Sequence, residues 1–198
     1  MRLSSILKTA LTLPYKCYRY ILNLTLIRLN NVSIGKGWEI NGIIQIINKG
    51  RIDIGRKFLV NSSKYANPIG GDTDMRFVVR KKGHLTIGNN VGISNSTIVC
   101  WNKVEIGNFV LIGGSCKIWD TDFHSTDPVD RCHNDNANVK TGSVKISDYA
   151  FIGGSSVILK GVTIGKNAVV AAGSVVTKSI PDDEIWGGNP AKYIRKLR

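Results

Sequence analysis

The chain has 198 residues, of which 42% are hydrophobic, and a formal net charge of +13 at pH 7. This length is sufficient for one domain with a sizeable core, and no stretch reaches the about 20 uninterrupted apolar residues that a membrane-spanning helix needs. The four cysteines show no CxxC spacing, so a disulfide framework is not expected. The positive charge favours an anionic membrane surface or a phosphorylated small molecule over nucleic acid, because no nucleic-acid-binding motif accompanies it.

Residues 1–30 are predicted to be helical, with a break near Pro14. Apolar residues within 3–11 recur at helical spacing on one face. The segment has neither a clean apolar stretch nor a small-residue cleavage site, so we expect no secretory signal and interpret the protein as cytoplasmic. Two roles stay open for it: a helical cap over one end of the following domain, or a basic amphipathic segment in peripheral contact with the inner face of the membrane.

Isoleucine or valine recurs every six residues over much of the segment 31–180. The strict part of this pattern comprises Ile146, Ile152, Ile158, Ile164, Val170 and Val176. The same spacing occurs earlier, at Ile87, Ile93 and Val99 and, after one extra residue, at Ile106, Ile112 and Ile118. A hexapeptide period is typical of a parallel β-helix, in which three repeats form one coil of about 18 residues. We therefore predict an all-β parallel β-helix over 31–180, with the aliphatic side chains inside the prism.

Two segments, 61–77 and 119–143, interrupt the period and are predicted to be loops inserted into the β-helix. Loops on a rigid scaffold are where binding and catalytic residues concentrate. The second loop contains most of the reactive side chains: Asp120, Asp122, His124, Asp127, Asp130, Arg131 and His133. The C-terminal segment 181–198 is predicted to be a loop and a short helix, with Asn189 as N-cap and Pro190 at the first helical position.

Two sequence segments resemble a known family. One is WDTDFHSTDP at 119–128, and the other is AAGSVVTKSIPDDEIWGGNPAKYIRKL at 171–197. Together with the hexapeptide period, they resemble the hexapeptide-repeat acyltransferases, in particular the galactoside- and maltose-type O-acetyltransferases and their relatives in capsule and lipopolysaccharide gene clusters. The resemblance covers about residues 85–198. It implies a left-handed β-helix, although parallel crossovers are generally right-handed, a homotrimer with active sites at the subunit interfaces, and acetyl-CoA as the acyl donor.

His124 matches the catalytic histidine of this family, which implies that it acts as the general base. A sugar hydroxyl is a poor nucleophile at neutral pH, and an imidazole can take its proton during attack on the thioester. Asp122 is expected to assist it, although Asp120 or a backbone carbonyl could equally orient the ring, because side chains two residues apart share a face in an extended loop. His133, in a polar stretch, is the rival base. The spacing of the histidines does not complete a ligand set, so no metal is expected.

The resemblance also assigns binding residues. Gly154, Ala172, Thr177 and Lys178 match positions that line the pantetheine arm or the nucleotide of acetyl-CoA, and Lys192 and Arg195 match basic residues near the CoA phosphates. Asn95 matches a position that holds the acceptor sugar, with a corner asparagine in a tight turn as the alternative. Phe151 stands where the galactoside enzymes carry a tryptophan, and it is expected to line the substrate site without donating a hydrogen bond.

The resemblance, together with the chemistry of these residues, predicts an acetyl-CoA-dependent O-acetyltransferase that acts on a sugar hydroxyl in surface-polysaccharide biosynthesis. Residues 1–30 do not match the substrate-covering segment of the maltose-type enzymes, which suggests an acceptor other than a free galactoside. The alternatives are an N-acetyltransferase of an amino-sugar nucleotide, an antibiotic acetyltransferase, and a non-enzymatic β-helix scaffold.

Overall fold

Short strands dominate the computed structural model of the chain, which describes residues 3–63, 65–71, 73–133, 135 and 137–198, without the side chains of 3–12. The helices are α1 (Leu3–Leu29) and α2 (Pro128–Cys132), and the strands are β1 (Ser33–Ile34), β2 (Glu39–Gly42), β3 (Gln45–Asn48), β4 (Arg51–Ile54), β5 (Leu59–Ser62), β6 (Arg76–Val79), β7 (His84–Ile87), β8 (Gly92–Ser94), β9 (Thr97–Cys100), β10 (Lys103–Ile106), β11 (Leu111–Ile112), β12 (Lys117–Trp119), β13 (Val144–Ile146), β14 (Phe151–Ile152), β15 (Val157–Ile158), β16 (Thr163–Ile164), β17 (Val169–Val170), β18 (Val175–Val176), β19 (Glu184–Gly187) and β20 (Lys192–Lys196).

From β1 to β18, successive strands lie in three different sheets in turn, so that every third strand returns to the same sheet. Within the described residues, sheet A has the order β1-β4-β7-β10-β13-β16, sheet B the order β2-β5-β8-β11-β14-β17-β19-β20, and sheet C the order β3-β6-β9-β12-β15-β18. The paired strands are parallel, except that β19 and β20 are antiparallel. This order is that of a three-sided parallel β-helix, in agreement with the hexapeptide period. Its edges are named here by the sheets that they join.

The core is a stack of aliphatic side chains inside the prism. All six residues of the strict sequence pattern, from Ile146 to Val176, are fully buried. The parallel pairing places them in columns, since Ile112 pairs with Ile152 and Ile152 with Val170. The small interior of each coil therefore explains why the period selects isoleucine and valine.

Val99 does not occupy the interior position that the six-residue spacing predicts. The buried residues of β9 are Ile98 and Cys100, whereas Val99 is half-buried on the outer face. The preceding corner is one residue shorter than that of the next coil, because Ile93 pairs with Ile112 but Ile98 pairs with Ile118. A shift of one residue in a strand moves every side chain to the opposite face, and this prediction was therefore wrong.

Helix α1 continues through Pro14, so the predicted break is wrong. Proline removes one backbone hydrogen bond from a helix, and docking on the first coil stabilises the turns that follow. The buried Asn23 donates its side-chain amide to the carbonyl of Gly42 (2.9 Å) and accepts from the backbone N–H of Ile44 (3.0 Å). The apolar face predicted within residues 3–11 lies outside the described side chains. Among the described residues, no helix has the length and apolarity to cross a membrane.

Residues 192–196, all within the described part of the chain, form strand β20 and not the predicted C-terminal helix. β20 pairs antiparallel with β19, and the intervening Asn189–Pro190 peptide bond is cis. The helix prediction rested on this dipeptide, which is equally typical of turns. The edge of β19 offers backbone partners to the residues that follow, and pairing along this edge determines their conformation.

The shorter corner before β9 generates a stability prediction. We expect Ile98→Ala to lower the free energy of unfolding by about 2–5 kcal/mol, because it leaves a cavity in the core. The control Val99→Ala should lower it by less than about 1 kcal/mol, since its side chain lies on the outer face. Urea unfolding at one fixed protein concentration measures both, because assembly contributes to apparent stability. An equal or larger loss for Val99→Ala would contradict this strand register.

Candidate active site

Residues 120–143 connect β12 with β13 and project from the C–A edge of the prism. The two ends of this loop are held together by the backbone. Thr121 and Thr141 form an antiparallel bridge, and the N–H of Asp122 donates to the carbonyl of Lys140 (3.0 Å). The loop therefore starts from a fixed base, and the side chains just beyond this base have a defined position.

Asp120 anchors the base of the loop to the preceding coil. Its fully buried carboxylate accepts hydrogen bonds from the backbone N–H groups of Trp101, Asn102 and Lys103, each at 2.7 Å. Hydrogen bonds to an ionised acceptor are about twice as strong as those between neutral groups. Asp120 is therefore committed to the backbone of this corner, which argues against it as the group that orients His124.

Phe123 fixes the backbone that presents His124. Its ring packs edge-on against Trp101 and Trp119, with ring centroids 6.1 Å and 5.7 Å apart. Its φ of +63° lies in the left-handed region, which is rare for a bulky residue and here is held by this packing. The next residue, His124, is exposed, and among the described residues its imidazole has no hydrogen-bond partner. Its backbone N–H donates to the carbonyl of Asp122 (2.7 Å).

The partner of the Asp122 carboxylate in the structure is Lys160, with Oδ1 and Nζ 3.3 Å apart. Lys160 lies one coil further along the same edge, between β15 and β16. It is absent from the sequence prediction, although the six-residue period could have placed it there. This ion pair is about one third exposed at both ends, and such pairs contribute at most about 1 kcal/mol to stability.

The outer part of the loop is a separate hydrogen-bonded unit around α2. Asp127 caps this helix by accepting from the N–H of Val129 (2.7 Å), and Arg131 donates to the carbonyl of Ser125 (3.0 Å). Hydrogen bonds from Ser125 and then Asn138 lower the pKa of Asp130. The rival base His133 ends α2, with its Nδ1 2.9 Å from the carbonyl oxygen of Val129.

The other predicted site residues lie on two further parts of the prism. Thr177 and Lys178 follow β18 on the C–A edge, two coils beyond the loop that carries His124. Gly154 and Ala172 lie on the B–C edge, between β14 and β15 and between β17 and β18. Phe151 is half-exposed on the outer face of sheet B, and the exposed Lys192 and Arg195 belong to β20 at the end of that sheet. One chain therefore places Thr177 and Lys178 on the same edge as His124, and Gly154 and Ala172 on a different edge.

Asn95 is fully buried on the B–C edge, where Gly71 and Thr73 of the connection between β5 and β6 lie against it. Its side-chain amide donates to the carbonyl of Thr73 (2.9 Å), and its φ of +41° is that of a corner residue. Its Oδ1 atom has no partner among the described residues. This geometry favours the corner alternative, because Asn95 has no exposed surface that a sugar could contact.

A shallow groove of about 370 Å³ on sheet B was absent from the sequence prediction. Its apolar wall consists of Leu59, Leu111 and Phe151, whose exposed fractions are 51%, 56% and 46%. Gly92 lies on the floor of the groove, where a Cβ atom would come within 2.9 Å of a methyl group of Leu111. The polar wall contains Asn41, Asn61 and Ser94, which are joined by hydrogen bonds from Asn41 to Asn61 (3.5 Å) and from Asn61 to Ser94 (3.2 Å). Outside the groove, Arg19 of α1 donates to Asn41 (3.1 Å).

Comparisons with known proteins agree with this architecture. Residues 143–178 match the family model described as bacterial transferase hexapeptide (six repeats). A galactoside O-acetyltransferase of Lactococcus lactis is 32% identical over 154 residues, which cover 78% of this chain and 67% of the relative.

Two solved structures are similar in fold and in sequence. A hexapeptide-repeat acetyltransferase of Vibrio cholerae, complexed with acetyl-CoA, is 35% identical, with a TM-score of 0.56 over 62% of this chain and 65% of the other. The similarity thus spans slightly less than two thirds of that protein. A point variant of an N-acyltransferase from Bacillus cereus, in complex with dTDP and coenzyme A, is 25% identical, with a TM-score of 0.67 over 87% of each chain.

The role of Asp120 as an anchor generates the second prediction. We expect Asp120→Ala to lower the free energy of unfolding by about 2 kcal/mol or more, because three backbone N–H groups lose their acceptor. Asp122→Ala, in the same loop, is the matched control and should cost less than about 1 kcal/mol. Urea unfolding gives the energies, and hydrogen exchange should accelerate at residues 101–103 in the first variant alone. Unchanged exchange there would contradict the anchoring role.

Proposed function

We propose that this chain, which belongs to the hexapeptide-repeat acetyltransferases, transfers the acetyl group of acetyl-CoA to a hydroxyl group of a sugar. The Vibrio cholerae structure with bound acetyl-CoA supports the donor, and the Lactococcus lactis galactoside O-acetyltransferase supports the acceptor class. The relatives are transferases, which argues against the non-enzymatic scaffold. The proposed setting is surface-polysaccharide biosynthesis, for which the resemblance to capsule- and lipopolysaccharide-cluster enzymes is the support.

The observation that carries this proposal is the state of the three histidines. Nε2 of His84 lies 2.8 Å from the carboxylate of Asp53, and Nδ1 of His133 lies 2.9 Å from a backbone carbonyl oxygen. Among the described residues, only His124 has an imidazole without a hydrogen-bond partner, and it is exposed on a loop with a fixed base. A general base must be free to accept the proton of its substrate, and His124 meets this requirement.

In the proposed reaction, His124 takes the proton of the acceptor hydroxyl while the oxygen attacks the carbonyl carbon of the thioester. Backbone N–H groups stabilise the negative charge on the carbonyl oxygen of the tetrahedral intermediate. The carbon–sulfur bond then breaks, and the imidazolium returns the proton to the leaving thiolate. The products are an acetyl ester and free CoA, and His124 is regenerated in its neutral form.

Asp122 is proposed as a positioning residue for His124. Its present partner is Lys160, in an exposed ion pair that contributes at most about 1 kcal/mol. A rotation of the Asp122 side chain would exchange this pair for a hydrogen bond to the imidazole, which fixes its tautomer. The low cost of breaking the ion pair makes this rearrangement compatible with catalysis.

The proposed active site is completed by a neighbouring copy in a homotrimer of left-handed prisms. His124 lies on the C–A edge, and Gly154 and Ala172 lie on the B–C edge, so one chain presents them in different directions. Two prisms side by side would bring the C–A edge of one to the B–C edge of the other. Acetyl-CoA would then lie between the prisms, with Lys192 and Arg195 as cations for its phosphates.

The groove on sheet B of the neighbouring copy is the proposed acceptor site, because within one chain sheet B lies opposite the C–A edge that carries His124. Leu59, Leu111 and Phe151 offer apolar surface to the C–H face of a sugar ring. The amides of Asn41 and Asn61 can both donate to and accept from hydroxyl groups. The combination of an apolar wall with polar amides fits a carbohydrate and requires no contact with the buried Asn95.

A second candidate acceptor is an amine on a sugar nucleotide. It is favoured by the Bacillus cereus N-acyltransferase with dTDP and coenzyme A, which has the higher TM-score of the two structures and matches 87% of each chain. The chemistry of His124 would be the same, since a protonated amine must also lose protons during attack.

The role of His124 generates the third prediction. His124→Ala should lower kcat by at least about 10²-fold, because it removes the proton acceptor, while the KM for acetyl-CoA should change little. His133→Ala is the matched control and should stay within a few-fold of the wild type. The measurement is acceptor-dependent release of the CoA thiol. A His124→Ala variant with nearly wild-type turnover would rule out this residue as the base.

The donor and the acceptor type generate the fourth prediction. Isothermal titration at physiological salt, which suppresses non-specific attraction by the positive charge, should give saturable binding of one acetyl-CoA per chain. The acetylated product should be cleaved by hydroxylamine, which attacks esters and leaves amides intact. Absence of donor binding by the folded protein would contradict the acetyltransferase proposal, and a hydroxylamine-resistant product would select the amine acceptor.

A further inference from the structure

One side of α1 is exposed and largely apolar. Pro14, Tyr18, Ile21, Thr25 and Leu29 follow one another at steps of three or four residues, so they lie along one side of the helix. The exposed fractions of Tyr18, Ile21 and Leu29 are 58%, 62% and 75%. These five residues are named the outer stripe.

The opposite side of α1 is fixed on the first coil. Asn23 and Ile27 are buried there. The ring of Tyr20 stacks on Trp38 with centroids 4.9 Å apart and planes 5° from parallel. Arg19 donates a hydrogen bond across the same interface to Asn41 on β2. The helix is therefore fixed on the prism, and the side chains of the outer stripe remain exposed along it.

The charge of this segment has one sign. Residues 1–30 contain five basic side chains, Arg2, Lys8, Lys16, Arg19 and Arg28, and no aspartate or glutamate. Within the described side chains, Lys16 and Arg28 are exposed. The apolar stripe thus lies on a helix whose cations have no acidic neighbours along the helix.

We propose that the outer stripe docks on an anionic lipid surface, with α1 lying in the plane of the membrane. An apolar helix face combined with uncompensated cations is the pattern of interfacial helices. Tyrosine rings favour the headgroup region, and cations are attracted to anionic headgroups. A second copy of the chain is the competing occupant, but two copies of the same cationic helix repel each other, whereas anionic lipids neutralise the charge.

Co-sedimentation of the full chain with vesicles tests this docking. Vesicles of phosphatidylcholine with phosphatidylglycerol should bind the protein at least about tenfold more tightly than vesicles of phosphatidylcholine alone. The double variant Ile21→Ser/Leu29→Ser should lose about tenfold or more of this binding, because it removes apolar surface from the stripe. Its matched control is Ile47→Ser/Ile194→Ser, which changes two exposed isoleucines elsewhere and should bind like the wild type.

Circular dichroism and the molar mass in solution accompany each variant. A stripe variant that is folded and binds vesicles like the wild type would overturn the proposal. Equal binding of the wild type to anionic and neutral vesicles would also overturn it. A third contradicting result is a wild type that binds no vesicles, together with a changed molar mass of the stripe variant, because this would identify the stripe as a contact between copies. Docking does not depend on the acetyltransferase proposal, and the binding of acetyl-CoA measured on the same samples tests that proposal separately.

Discussion

The packing of aliphatic side chains inside the prism is the constraint on which the rest of the structure depends. Each coil can pass through three sheets only if its corners are tight, and tight corners expose backbone N–H groups that need acceptors. Polar side chains meet this need at the A–B edge, where Asn89 accepts from the N–H of Arg56 (2.9 Å) and Asp148 from that of Asn108 (2.6 Å). The apolar core and the polar corners are therefore two consequences of one repeat.

Since the interior is filled, chemistry is confined to the outer faces and to the loops that leave the edges. The loop after β12 contains, within five residues, a side chain that satisfies the corner backbone and a side chain that is available for chemistry. Asp120 satisfies the corner backbone as its equivalents do elsewhere, and four residues later His124 is left without a partner. A rigid base and a free imidazole are what a general base requires, because misplacement by about 1 Å can cost a large factor in rate. The same corner that stabilises the fold thus positions the proposed catalytic group.

The fold was predictable where the repeat is strict and less so where one corner differs. The six-residue spacing from Ile146 to Val176 predicted buried columns, because a hexapeptide period is the sequence signature of a β-helix. The prediction for Val99 was wrong because no residue type around Asn95 indicates that this corner is one residue shorter than that of the next coil. Asn189–Pro190 was misread because the same dipeptide starts helices and forms turns. The six-residue period could have placed Lys160 on the edge near Asp122, but the ion pair of Lys160 and the hydrogen bonds of Asp120 join neighbouring coils and required the structure.

Helix α1 and the loop that carries His124 lie on different coils of one rigid prism. The helix covers the first coil, and the loop leaves the fourth, after β12. Strands within a sheet are about 4.8 Å apart, so the base of the loop stands about 14 Å from the first coil along the prism axis. With the outer stripe on a membrane, the base of the loop would lie nearer to the lipid surface than the last coils and β20. An acceptor held near the membrane would then reach the C–A edge from the side of the first coil, and a water-soluble donor would reach it from the side of the last coils.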